Sequence, residues 1–323
     1  MSAAIACLVS LLLMPLAVRV GRATGLVDRP APTDLKIHSV PVSVLGGPGV
    51  ITGALVGLAV MGELEVRLAV GVTVAVAVGL FDDARPLPPW PRLLMIGVAG
   101  AIVGQAVGGM PGLVTTSSIT LLLGLACANA VNIVDGQDGL AGGLAALASL
   151  SMGVSAHLLG VTPGLPLGLA VGGSLLVFLL WNAPPASLFL GNGGAYGIGI
   201  VLAAQAGGLV IEGPRGLIAA GIGLGFFAFE LILTTIRRSG SRSPVLAGDR
   251  GHSYDVLAVW LGSRSRSTLV FLAIGAGCGG LGILSASAPM PGAIAIAVAF
   301  LLVTGLAGWV FLHAGDLSRN PAR

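Results

Sequence analysis

Charge is scarce in this chain. Only 9% of its 323 residues are Asp, Glu, Lys or Arg and 55% are hydrophobic, whereas an ordinary soluble domain is about 25% charged. A mean hydropathy of +1.00 fits the same picture, and a large soluble domain is excluded. Cysteine is also rare. Cys7, Cys127 and Cys278 stand in apolar stretches at unrelated spacings, so neither a disulfide framework nor a metal-binding CxxC is present, and they read as small core residues. The net charge of +3 carries no argument for nucleic acid, because membrane proteins keep excess Lys and Arg in their cytoplasmic loops. What the chain has instead is long apolar runs and 52 glycines, which fit close helix packing in lipid rather than disorder.

The apolar runs cover about residues 3–20, 44–62, 66–81, 93–110, 113–130, 139–160, 165–181, 193–211, 216–236, 268–287 and 291–313, each near the length needed to cross ~30 Å of hydrocarbon. The expectation is an all-α polytopic membrane protein of about eleven transmembrane helices, forming one domain over 1–323. No basic residue precedes the first run, while Arg19, Arg22 and Arg29 follow it. It therefore reads as a retained span with the N-terminus outside and not as a signal peptide. The cytoplasmic segments are then about 19–43, 82–92, 131–138, 182–192, 237–267 and the C-terminus. Fourteen of the 16 basic residues fall in them, and only Arg67 and Arg215 fall outside, as the positive-inside rule requires.

All nine aspartates fall on the same side, although orientation rules place no demand on acids. Acids and bases gathered on one face suit a site for phosphate groups and a divalent cation, with Asp oxygens as hard ligands and basic residues neutralising phosphate. Four loops are densely polar. The first carries Asp28-Arg29-Pro30, Lys36-Ile37-His38 and Gly46-Gly47-Pro48-Gly49, a glycine-rich turn before a helix. In the second, Phe81-Asp82-Asp83-Ala84-Arg85, two adjacent carboxylates repel unless a cation or a proton lies between them. A magnesium site, a general base and an ordinary helix end are the readings open there. The third, Asn129 to Gly139, alternates amides, carboxylates and glycines; the fourth runs from Trp181 through Gly191-Asn192-Gly193-Gly194 to Tyr196. A fifth, longer segment holds Arg237-Arg238, Asp249-Arg250-Gly251-His252 and Ser253-Tyr254-Asp255. Glu230, the only acid within a span, and Gln105 and Gln205 read as helix-joining hydrogen-bond formers.

In order and spacing these five segments resemble the polyprenyl-phosphate N-acetylhexosamine-1-phosphate transferases, which include the phospho-N-acetylmuramoyl-pentapeptide transferases. Asp82-Asp83 matches the family's aspartate pair, Asn132 to Asp138 its Asn-x-x-Asp-Gly-x-Asp-Gly loop, and Lys36 and His38 its Lys-x-His. The resemblance implies transfer of a sugar 1-phosphate from a UDP-sugar to an undecaprenyl or decaprenyl phosphate, releasing UMP, with Mg²⁺ or Mn²⁺ as cofactor. It implies Asp82, Asp83 and His252 as catalytic residues. Lys36, His38, Asn132, Asp135, Asp138, Arg238 and Arg250 would bind substrate, and Asp83, Asp138, Asn192 and Asp255 would hold the metal. Approach of one phosphate to another gathers negative charge that a cation and basic residues must offset.

The chain departs from the family at two points. Asn192 stands where the family has an aspartate that binds magnesium, and Asn offers only a neutral carbonyl oxygen. The family's His-x-His-His reads His252-Ser253-Tyr254-Asp255 here, and the expectation is that Asp255 restores the charge missing at Asn192. The Asp249 to Asp255 segment favours GlcNAc-1-phosphate or a related sugar over the muramoyl-pentapeptide, for wall or surface polysaccharide. A bacterial inner membrane with a cytoplasmic active site is the expected setting, and a homodimer is left open. The competing readings are a homologue that binds polyprenyl phosphate or nucleotide-sugar with weakened catalysis, and a transporter, against which the one-sided acids and the absence of a repeat both argue.

Overall fold

The computed structural model describes residues 1–30, 40–107, 113–239 and 251–319. Lys36, His38 and Arg250 lie outside the described residues. Apolar segments in lipid satisfy their backbone groups only as helices or closed barrels, and this chain takes the first course. Its helices are α1 (Ser2–Thr24), α2 (Gly46–Val60), α3 (Val66–Ala84), α4 (Pro89–Val107), α5 (Leu113–Val134), α6 (Leu140–Leu158), α7 (Gly164–Asn182), α8 (Gly191–Ile211), α9 (Pro214–Gly223), α10 (Gly225–Ser239), α11 (Ser253–Leu261), α12 (Arg264–Ser287) and α13 (Met290–Arg319). Two short strands, β1 (Val27–Asp28) and β2 (Val42–Ser43), pair antiparallel with Val27 opposite Ser43.

Each of the eleven expected runs is helical, but they are not eleven equal spans. Eight helices are long and apolar enough to cross a membrane. The run at 216–236 is instead a pair, α9 and α10, bent by 68° at a break, and α2 is short. α3 carries Arg67 near one end and Asp82 and Asp83 at the other. The segment expected as a loop over 237–267 contains α11. The chain is all-α and an integral membrane protein.

α8 is the centre of the bundle. Its residues from Gly193 to Leu209 are buried, and it packs against α2, α3, α4, α5, α6 and α9. Inside the bundle Gln205 on α8 donates to the Ser149 backbone oxygen at 3.1 Å and accepts from the Ser149 hydroxyl at 3.0 Å, so it joins α8 to α6 as expected. α13 lies at the other extreme: Leu301, Leu302, Val303, Leu306 and Trp309 are exposed, which in a membrane is a lipid-facing surface.

One end of the bundle is laced by backbone hydrogen bonds. Phe189 N–H donates to the Ser43 carbonyl at 2.8 Å, while Gly46 and Gly47 donate to the Phe189 and Leu190 carbonyls, each at 3.0 Å. Asn182, the buried last residue of α7, accepts from Gly139 N–H at 3.0 Å and donates to the Leu188 carbonyl at 2.9 Å. The β2–α2 corner, the α5–α6 turn and the α7–α8 connection are thereby fixed to one another, and the polar motifs lie at this end.

Candidate active site

The motifs that read as loops sit largely on helix ends. Asp82 and Asp83 occupy the last turn of α3, Asn132 the last turn of α5 and Asn192 the first turn of α8. Asp135 to Gly139 forms a turn between α5 and α6, with Gly139 at φ 77°. Helix ends suit this placement because they expose backbone groups that lack intrahelical partners.

The start of α8 brings three helices together. Asp83 accepts from Asn192 N–H at 3.0 Å on Oδ1 and from Gly193 N–H at 3.2 Å on Oδ2. Its carboxylate therefore caps the N-terminus of α8, where the helix dipole favours negative charge. Such contact demands that α3 and α8 nearly touch: a Cβ on Gly79 would fall 2.3 Å from the Asn192 carbonyl oxygen. Gly191 adopts φ 73°, a left-handed conformation that side chains disfavour.

Asp82 is bound differently. Only 6% of it is exposed. It accepts from Leu87 N–H at 2.7 Å, Tyr196 Oη at 2.8 Å and Asn192 Nδ2 at 3.2 Å, and the Arg92 guanidinium stands 3.5 Å away. Through these bonds Asp82 links α3, α4 and α8, and Asp83 is the more accessible of the pair. Because a carboxylate at Asp82 can only accept, the Asn192 side chain must turn its NH₂ to it. Asn192 Oδ1 then accepts from Asn132 Nδ2 at 2.7 Å. One neutral amide thus connects the ends of α3, α5 and α8.

Asp135 and Asp138 complete the cluster. Burial raises the Asp135 carboxyl well above the usual range, and the charges of Asp83 and Asp138 add to this. Burial also pushes Asp83 up to about 6; the two N–H donors of α8 oppose the rise, and Asp82 and Asp28 add to it. Perturbation of Asp135 by two neighbouring carboxylates marks acids that share one site. Asp138 is tethered by Ala186 N–H at 3.0 Å. The described residues contain no preassembled grouping of three or more His, Cys, Asp or Glu around a point that could hold a metal. Asp83, Asp135 and Asp138 nevertheless supply the hard oxygen donors that a divalent cation requires, and their repulsion is what a cation would relieve.

The last motif lies beside the α5–α6 turn. Tyr254 Oη donates to the Ile133 carbonyl at 2.7 Å, and Gln137 Nε2 donates to the Tyr254 carbonyl at 3.1 Å. His252 precedes α11, is buried, and meets Glu230 of α10 at 2.9 Å through Nδ1. Asp255 stands in the first turn of α11, which packs against α12 and α13, whereas the bonds that fix Asn192 come from Asp82, Asp83 and Asn132. Arg238 lies in the last turn of α10 beside Arg237. Sequence reasoning gave no site role to Tyr196, Arg92, Asn182, Gln137 or Glu230. Only Glu230 carried a signal, as an ionisable residue inside a span.

The model of glycosyl transferase family 4 matches residues 66–209. A probable undecaprenyl-phosphate N-acetylglucosaminyl 1-phosphate transferase from Bacillus subtilis is 29% identical over 283 residues, 82% of this chain and 78% of that protein. Over α3 to α8 the chain is similar to glycosyl transferase family 4. Two further relatives match over about half their length. A decaprenyl-phosphate N-acetylglucosaminephosphotransferase from Mycobacterium leprae is 29% identical over 56% of each chain. A phospho-N-acetylmuramoyl-pentapeptide-transferase from Desulforudis audaxviator is 34% identical over 49% of this chain and 46% of its own. The family 4 match runs from α3 to α8, and so includes Asp82, Asp83, Asn132, Asp135, Asp138 and Asn192. His252 and Glu230 lie beyond it.

Proposed function

We propose that this enzyme transfers a HexNAc-1-phosphate, GlcNAc-1-phosphate first among the candidates, from a UDP-sugar to a polyprenyl phosphate. The undecaprenyl and decaprenyl GlcNAc-1-phosphate transferases among its relatives support this acceptor and sugar. The setting is the cytoplasmic face of a bacterial inner membrane, as the sorting of Arg and Lys supports. The observation that carries the reading is the convergence of the ends of α3, α5 and α8, where Asp83 caps α8 and Asn192 joins Asp82 to Asn132, with Asp83 and Asp138 both raising the proton affinity of Asp135.

In the net reaction an oxygen of the lipid phosphate bonds to the phosphorus that bears the sugar, and the bond from that phosphorus to the UMP oxygen breaks. UMP leaves with the electron pair. Asp83, the more accessible acid of its pair, accepts the acceptor's proton or orients its phosphate. Asp82 fixes the end of α3 through Tyr196, Asn192 and Arg92. Asp83, Asp135 and Asp138, with a carbonyl oxygen from Asn192, are the residues that would hold Mg²⁺; the ion's chemistry is to neutralise charge on the two phosphates. Arg238 and His252 contribute the basic and imidazole groups that phosphate requires.

The test is UMP release from a panel of UDP-HexNAc donors by purified protein in detergent, with polyprenyl phosphate, in Mg²⁺ and in EDTA. Magnesium-dependent release from one donor, abolished in Asp83→Asn, is the expected result. Asn192 favours one second reading, a homologue that binds its ligands without turnover; lipid phosphate binding with no release from any donor would replace the first reading by this one. Similarity to sugar-phosphate transferases over most of the chain speaks against the transporter reading.

A further inference from the structure

The reaction proposed above gives His252 a task and leaves Glu230 without one. Glu230 is wholly buried in α10, 0% exposed, and several donors converge on its carboxylate. Oε1 faces His252 Nδ1 at 2.9 Å, Ser253 N–H at 3.3 Å and the Thr234 hydroxyl at 3.4 Å; Oε2 accepts from the Ser253 hydroxyl. A carboxylate in an apolar helix bundle persists only with such partners. As a carboxylate Glu230 only accepts, which assigns the proton on the 2.9 Å contact to Nδ1 of the imidazole, a nitrogen that the Thr234 hydroxyl also approaches at 3.1 Å.

The ring is also held on its face. It stacks on Tyr254 with centroids 5.1 Å apart and planes 9° apart. Tyr254 is anchored by the Ile133 carbonyl, by Gln137 and by the Ser267 hydroxyl at 2.8 Å, which ties it to the turn carrying Asp135 and Asp138. Glu230 therefore fixes one edge of the imidazole, and Tyr254 registers the ring against the acidic cluster. With Nδ1 committed to Glu230, the nitrogen on the far side of the ring, Nε2, is set as the one that acts.

We propose that Glu230 is a positioning residue for His252 in sugar-phosphate transfer, holding its Nδ1–H so that Nε2 serves the substrate phosphates. The proposal rests on the transferase reading, and the experiment separates the two. Glu230→Gln keeps the shape and an acceptor oxygen, yet removes the charge. UMP release by Glu230→Gln, His252→Ala, the double variant and the wild type is measured under saturating and limiting UDP-sugar. The ¹⁵N shifts of labelled histidines report the tautomer directly.

The expected results are an Nδ1–H signature that is lost in His252→Ala and altered in Glu230→Gln, and a fall in kcat of about 10- to 100-fold in Glu230→Gln. KM should stay within about twofold, and the double variant should be no slower than His252→Ala alone, as residues acting through one another require. Unchanged kcat in Glu230→Gln, or a full additional loss on top of His252→Ala, overturns the proposal while the transferase stands. No UMP release by the wild type overturns the transferase reading, and the proposal with it.

Discussion

Replacing Asn192 by Asp restores the residue type expected at this position from the family resemblance, and the structure says what that does when no cation is present. The Asn192 amide donates to Asp82 at 3.2 Å and accepts from Asn132 at 2.7 Å. An ionised Asp loses the donor and sets a second negative charge against a buried carboxylate. At about 4 Å and an effective dielectric of about 20 that repulsion is about 4 kcal/mol; Arg92, 3.5 Å from Asp82, offsets part of it. A net cost of about 2–4 kcal/mol is expected. The new carboxyl can escape it by keeping a proton, so its folded pKa lies above its unfolded one. The variant is then least affected at low pH and loses stability as pH rises through the folded value. Mg²⁺ relieves the same repulsion. Thermal unfolding in detergent at about pH 4 and pH 8, in EDTA and in Mg²⁺, measures this: Asn192→Asp should unfold several degrees below the wild type at about pH 8 in EDTA, with the gap closing in Mg²⁺ or near the unfolded carboxyl pKa of about 4. A variant as stable as the wild type at pH 8 in EDTA would refute the argument.

Three other outcomes follow from the same geometry. Tyr196→Phe removes a hydroxyl that donates to Asp82 at 2.8 Å, so it should lower stability by about 1–3 kcal/mol, measured by thermal unfolding, and reduce turnover less than Asp83→Asn does. Because burial holds Asp83 at about 6 and raises Asp135 as well, and a metal must displace their protons, Mg²⁺ affinity should weaken as pH falls from about 8 to 5, by about tenfold per pH unit for each proton displaced; Mg²⁺ titrations of Asp83→Asn over the same range would show an unaltered pH dependence if Asp83 took no part. If Asp255 supplies the charge that Asn192 lacks, Asp255→Ala should cut magnesium-dependent turnover about tenfold or more, and Asn192→Asp should recover it in that background. Normal turnover in Asp255→Ala would separate the two positions.

Much of this was legible in the sequence because lipid simplifies the code. Apolar runs of about 20 residues have one outcome, so each expected run is a helix. What the runs could not reveal was where a helix breaks: the bend between α9 and α10 lies in a stretch of glycine and apolar residues that reads as one span. The polar motifs identified the cluster, since Asp83, Asn132, Asp135, Asp138 and Asn192 meet at one end. They did not distinguish Asp82 from Asp83, because adjacent carboxylates look alike until the partners of each are known. Asp82 is buried among Tyr196, Arg92, Asn192 and the Leu87 backbone, whereas Asp83 meets two N–H groups of α8 and stays partly exposed. The pairing of Glu230 with His252 was beyond reach for a similar reason. The two lie 22 residues apart on different helices, and only the fold brings them within 2.9 Å.

The central claim is that a sugar travels to the lipid with its phosphate. The direct measurement uses a UDP-GlcNAc donor labelled at the phosphorus that bears the sugar, with polyprenyl phosphate and Mg²⁺, and follows the label into the organic-extractable lipid. The account predicts label in the lipid, released UMP in equal amount, and neither product with Asp83→Asn. Label retained in UDP while sugar appears on the lipid, or no transfer from any HexNAc donor, would contradict it.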